Sequence, residues 1–146
     1  MHPFPHHYAV SIAAAPEGAV QITGETLPEI HSTAPPEFGG PPGHWSPETL
    51  LTAAVADCLV LGFRAVARAS KLEWTSLEAS TRGTLERVDG VTRFVRFDSS
   101  ARLVVPAGTD PARARMLLEK AEKLCLILNS LSAERHLEVE VEVVTA

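Results

Sequence analysis

SPETLLTAAVADCLVLGFRAVARAS, from Ser46 to Ser70, is the stretch around which the rest of the chain is arranged. It opens with Ser46 as an N-cap and Pro47 at the first helical position, both helix-start signals. No proline follows, and Gly62 is the only weak helix former in its middle. At about 1.5 Å per residue it makes a helix of roughly 37 Å, more than twice the ~15 Å radius of gyration of a domain this long. Placed at steps of about 100°, Asp57, Arg64, Arg68 and Lys71 fall in one narrow polar stripe. The rest of the circumference is Leu, Val, Ala and Phe, and Cys58 lies on this apolar side. A helix with so little polar surface must be covered almost all round. One small chain struggles to do that, so burial against a partner subunit is expected.

At 146 residues the chain is read as one domain, residues 1–146, long enough to bury a core. An apolar fraction of 45% with 21% charged residues is that of a soluble globular protein. A net charge of -5, with no basic patch and no interleaved aromatics, argues against nucleic acid as a partner. MHPFPHHY has no positive segment followed by an apolar run, so no signal peptide is read. Asp57 interrupts the best apolar run before it reaches the ~18 residues of a transmembrane helix, so no membrane partner is expected. The expected location is cytoplasmic. Two cysteines there are not a structural staple: they are inert core residues or redox groups.

Residues 7–31 alternate weakly around a Pro16-Glu17-Gly18 turn and predict a hairpin with a short third strand. His2, His6 and His7 have no carboxylate or thiol neighbour, so no metal is assigned to them. APPEFGGPPGHWSP, residues 34–47, carries five prolines and three glycines and predicts a stiff, shaped loop. Phe38 and Trp45 are expected to anchor it on the core. After the long helix, residues 74–87 and 92–105 alternate strongly on either side of Val88-Asp89-Gly90, a strong hairpin signal. Asp110-Pro111 opens a second helix to about Leu124, with Ala114, Leu117, Leu118, Ala121, Leu124 and Cys125 along its buried face. A short helical segment follows through Leu131, and LEVEVEVV from Leu137 reads as a half-buried strand with a glutamate-rich outer face. The order hairpin, long helix, hairpin, helix, strand is α+β.

Three residues carry candidate chemistry: Cys58 in mid-helix, Cys125 at the end of the second long helix, and Glu48 in the first turn of the long helix. The positive helix end alone accounts for a carboxylate at Glu48. Each cysteine taken singly suits a small buried hydrophobe. Together, on inward faces of neighbouring helices, they suit redox chemistry equally well. Spacing carries the choice no further.

The segments PPEFGG from Pro35, WSPETLLTAAVADC from Trp45 to Cys58, and EKAEKLCLILNSL from Glu119 to Leu131 resemble the OsmC/Ohr family, the osmotically inducible and organic hydroperoxide resistance proteins. The order of elements fits that family along nearly the whole chain. The resemblance implies an OsmC-like fold, antiparallel sheets packed around a long central helix, in an intertwined homodimer with active sites at the subunit interface. It implies a Cys-based peroxidase for organic hydroperoxides, in some members hydrogen peroxide, with no metal and no bound cofactor. Cys58 would be the peroxidatic residue and Cys125 the resolving one, with an external dithiol as reductant. An apolar pocket would favour bulky alkyl peroxides.

The resemblance also gives Glu48 a role, holding an arginine that faces the thiolate. Ten residues of helix separate Glu48 from Cys58 by about 15 Å, which suggests that a site draws its halves from two subunits. One feature departs from the pattern. The family's activating arginine lies in the N-terminal strands, and here no Arg or Lys precedes Arg64. No arginine is therefore assigned; Arg82, Arg93 or Arg96 from the second hairpin, or His7 or His31, are the substitutes in the sequence. A cysteine among apolar side chains with no cation beside it reacts poorly. The competing expectation is an OsmC-fold dimer with weak or no peroxidase activity that binds an apolar ligand or partner in the same pocket.

Overall fold

In the computed structural model, which describes residues 1–145, Ser46 caps α1 (Pro47–Ala69). Its hydroxyl accepts the Thr49 N–H at 3.1 Å while the Thr49 hydroxyl accepts the Ser46 N–H at 2.8 Å. This reciprocal pair satisfies two of the donors that a helix start leaves open. Along α1 the buried residues are Val55, Leu59, Phe63 and Ala67, one stripe at four-residue spacing. Asp57, Arg64, Arg68 and Lys71 are exposed. The chain divides after Leu50 into two units.

The first unit, residues 1–50, holds β1 (Ser11–Ala13), β2 (Val20–Thr23) and β3 (Ile30–Ser32) in an antiparallel sheet of that order. The predicted hairpin and third strand are both present. The proline-rich loop is shaped by backbone bonds: Phe38 N–H to the Pro35 carbonyl and Thr33 N–H to the Trp45 carbonyl, at 2.9 and 2.8 Å. Its aromatic residues do not anchor it. Phe38 is 59% and Trp45 54% exposed, because the turn over Pro36–Phe38 holds the loop without them. Among the described residues of this unit only Ser32 and Ser46 are buried, while Val10, Ile12, Leu27 and Ile30 face outward. The unit has apolar surface and no core of its own.

The second unit holds a sheet of β4 (Ser76–Val88), β5 (Val91–Val105) and β6 (Glu134–Val143), in that order. Asp89 and Gly90, at φ 50° and 80°, close the β4–β5 hairpin. Positive φ at both central residues is the type I′ turn that Asp-Gly favours. The α+β class stands, but the direction of β6 differs from the expected antiparallel arrangement: β6 runs parallel to β5. The reason lies between them. α2 (Pro111–Lys123) and the single turn α3 (Leu126–Asn129) carry the chain back over one face of the sheet, which is what a parallel connection requires.

α2 begins as read, with the Asp110 carboxylate accepting the Ala112 N–H at 3.0 Å and Pro111 at the first position. Ala114, Leu117, Leu118 and Ala121 join Leu59, Phe63 and Ala67 of α1 and Ala101, Leu103 and Val105 of β5 in the main core. Leu124 departs from the expectation of burial and is 59% exposed. It caps α2 with φ -89° and ψ 0°, where the helix has ended and the chain turns off the buried face. By length and composition α1 would suit a membrane span, with a mean hydropathy of 1.8. Its Leu59, Phe63 and Ala67 are instead built into this core.

Candidate functional site

A second, smaller cluster lies beside the main core: Val55, Phe97, Cys125 and Leu128, with Leu51, Cys58, Phe94 and Ile127 packed against it. It brings the two cysteines together. Cys58 comes from the middle of α1 and is half-buried. Cys125 is 2% exposed and sits at the corner between α2 and α3 as the N-cap residue of α3, two residues past the end of α2, on whose buried face it was expected. Both are free thiols, packed in this one cluster.

Their environments differ. Burial pushes the Cys125 thiol above its ordinary range, and the hydrogen bond and charge of Cys58 push it the same way. The backbone groups of Leu128 and Ile127 pull it down and are outweighed. Cys125 is therefore kept as a thiol. Cys58 is the sulfur that a molecule arriving from outside meets first.

An open cavity of about 340 Å³ runs over the pair, lined by Cys58, Cys125, Leu61, Leu124, Leu126 and Asp57 among others. Its size suits a medium-sized organic molecule. Its walls are apolar apart from Asp57, and among the described residues no Lys or Arg lines it. The second-hairpin arginines do not supply one within the protomer. Arg96 is exposed and its Nε donates to both Asp98 oxygens at 2.8 Å. Arg82 lies opposite Asp98 in the ladder, and Arg93 opposite Glu86. All three sit on the sheet face turned away from Phe97 and the thiols.

Gly83 of β4 closes this cluster from the sheet side. A Cβ there would stand 2.9 Å from Cε1 of Phe94, and 3.0 Å from both Cε1 of Phe97 and Oγ1 of Thr52. The two rings, stacked at 5.1 Å, have nowhere to go without opening the cluster. Gly83→Ala is therefore expected to destabilise by about 1–3 kcal/mol, the range for overpacking, read as a lower denaturant midpoint at unchanged slope.

Glu48 is half-buried in the first turn of α1, where the helix end favours a carboxylate. The N-terminal histidines gather no metal set: His6 Nε2 bonds to the His2 carbonyl, and among the described residues no group of three candidate ligands is placed for a metal. One residue escaped the sequence reading. Arg135 lies on the inward face of β6, where Leu137, Val139, Val141 and Val143 share its alternation. An arginine at an apolar parity position was the signal for it. Its guanidinium bonds the Glu122 carboxylate, the Glu122 carbonyl and Asn129 Oδ1, the last at 2.7 Å.

Comparison with known proteins bears on this arrangement. The model of the OsmC-like protein family matches residues 40–142. The uncharacterized protein YmaD of Bacillus subtilis is 27% identical over 112 residues, 75% of each chain. An OsmC-like protein of unknown function from Vibrio cholerae shares the fold with a TM-score of 0.85 at 17% identity, covering 93% of this chain and 100% of that one. An organic hydroperoxide resistance protein from Legionella pneumophila matches with a TM-score of 0.71 at 21% identity, covering 96% and 99%. Another, from Elizabethkingia anophelis, matches with a TM-score of 0.74 at 17% identity, covering 97% and 100%. With the family model spanning both segments that carry the cysteines, on a fold shared with these structures, the chain belongs to the OsmC/Ohr family of OsmC-like proteins.

Proposed function

We propose that the protein is a homodimeric thiol peroxidase for organic hydroperoxides, with Cys58 as the attacking sulfur and Cys125 as the resolving one. The observation that carries this reading is the meeting of two free thiols, one accessible and one buried as the thiol, at the floor of one apolar cavity. The Cys58 thiolate attacks the outer oxygen of ROOH. The O–O bond breaks, RO⁻ leaves and takes a proton as the alcohol, and Cys58 becomes a sulfenic acid. The Cys125 sulfur then attacks Cys58, the S–O bond breaks, and water departs with the Cys125 proton. An external dithiol reopens the disulfide by exchange. The lining of Leu61, Leu124 and Leu126 supports an alkyl or aryl peroxide over hydrogen peroxide. No cofactor has a part in the cycle, and free thiols suit a reducing cytoplasm.

The homodimer rests on surface. Leu61, Leu124 and Leu126 around the cavity mouth are 50%, 59% and 67% exposed. Contiguous apolar surface of this kind marks an interface. A second copy would cover it, and a site shared between two copies is what the resemblance implies for Glu48. Leu126→Glu is expected to convert the dimer to monomer in light scattering at micromolar concentration, with helix content unchanged.

The test is stopped-flow mixing of reduced protein with cumene hydroperoxide and with hydrogen peroxide. One equivalent of each is expected to be consumed, cumene hydroperoxide faster, with a loss of 2 Da as the disulfide forms. The absence of a Lys or Arg among the described residues of the cavity lining favours a second reading, an apolar ligand site with little peroxidase activity. Slow oxidation, unaltered by Cys58→Ser, would decide for that one.

A further inference from the structure

Cys125 owes little of its position to the helix it begins. α3, which it opens, is one turn of four residues, too short to persist alone. The corner is tied from outside by Arg135. Glu122, three residues before Cys125, gives the guanidinium its carboxylate and its carbonyl, and Asn129, four residues after, gives its Oδ1. The Glu122 carbonyl also accepts the Cys125 N–H at 3.1 Å, and the Cys125 carbonyl accepts the Asn129 N–H at 2.9 Å. One guanidinium thus brackets Cys125 on both sides and shares an acceptor with its backbone. The ion pair is well enclosed, with Arg135 and Glu122 side chains 28% and 15% exposed. A planar fork on several acceptors fixes orientation in a way a point charge does not.

We propose that Arg135 is a positioning residue that holds Cys125 against Cys58 and so sets how fast the sulfenic acid is resolved. The inference rests on the peroxidase reading for its consequence. A Cys58 sulfenic acid has two fates: Cys125 closes the disulfide with loss of water, or a second peroxide oxidises Cys58 to the sulfinic acid, itself reduced to the alcohol. The first fate depends on where Cys125 stands, and a displacement of about 1 Å is worth up to roughly a hundredfold in such a step. The second does not depend on Arg135.

The test compares the wild type with Arg135→Met, Arg135→Lys and Asn129→Ala, each checked for its melting temperature. At equal peroxide consumed, Arg135→Met is expected to raise the sulfinic product, read as +32 Da on Cys58, about tenfold. Its disulfide, equilibrated with dithiothreitol, is expected to be about tenfold less favoured, a potential about 30 mV more oxidising. Arg135→Lys and Asn129→Ala should fall between it and the wild type, and they carry the test if Arg135→Met does not fold. A lowered melting temperature with both readouts unchanged would overturn the proposal and leave Arg135 a structural residue. The dithiothreitol equilibrium needs no peroxide. A wild type indifferent to peroxides would therefore sink the peroxidase reading while the clamp was still tested.

Discussion

Cys58→Ser is expected to lower the second-order rate of organic hydroperoxide consumption by on the order of 10³-fold or more, as removal of a nucleophile does. The thiolate is the attacking species, and a serine hydroxyl in the same place stays protonated at neutral pH. Nothing else among the described residues replaces it, because Cys125, the only other thiol, is 2% exposed and kept protonated by burial. Serine is close in size and Cys58 is half-buried, so the melting temperature should move little. Cys125→Ser separates the two roles. Its first turnover should proceed at the wild-type rate, while the Cys58 sulfenic acid accumulates and is trapped by dimedone. Turnover with a dithiol reductant should fall. Equal losses in both variants, or none in Cys58→Ser, would remove the assignment of roles.

The parts of the fold that were legible before the structure are those written in local chemistry. Ser46-Pro47 and Asp110-Pro111 announce helices because a cap and a fixed φ act within one turn. Asp89-Gly90 announces a hairpin because the turn demands positive φ at both positions. The direction of β6 was not legible from alternation, since a period of two is the same for parallel and antiparallel strands; only the crossover through α2 decides it. Phe38, Trp45 and Leu124 were misplaced for a related reason. Apolar character says that a side chain gains by being covered, but not whether its own chain covers it. For the site, the cysteines stand 67 positions apart (125 minus 58), and nothing in their spacing brings them together. The resemblance implied the pairing, and the fold gathers both cysteines in one cluster at one cavity. Arg135 was open to view, as the single charge on the apolar parity of the last strand, and was passed over.

Phe97→Ala is expected to cost about 3–5 kcal/mol, the range for truncating a buried aromatic, and to do so beside the thiols. Phe97 is 1% exposed and shares its cluster with Cys125 and Val55, and its ring stacks on Phe94. Part of the cost is lost burial and part is the cavity left where Gly83 offers no side chain to collapse into it. For a chain of this length the loss corresponds to roughly 6–20 °C in melting temperature, at about 2–4 °C per kcal/mol. Phe97→Leu refills most of the volume and should cost under about 2 kcal/mol. The functional reading follows from where the void opens. Phe97 packs under the corner that carries Cys125, so its removal loosens the buried thiol rather than the accessible one. First-turnover peroxide consumption should survive at temperatures where the variant is folded, while closure of the Cys58–Cys125 disulfide slows. A variant that lost both steps together, or neither, would show that Phe97 serves the fold without holding the resolving sulfur in place.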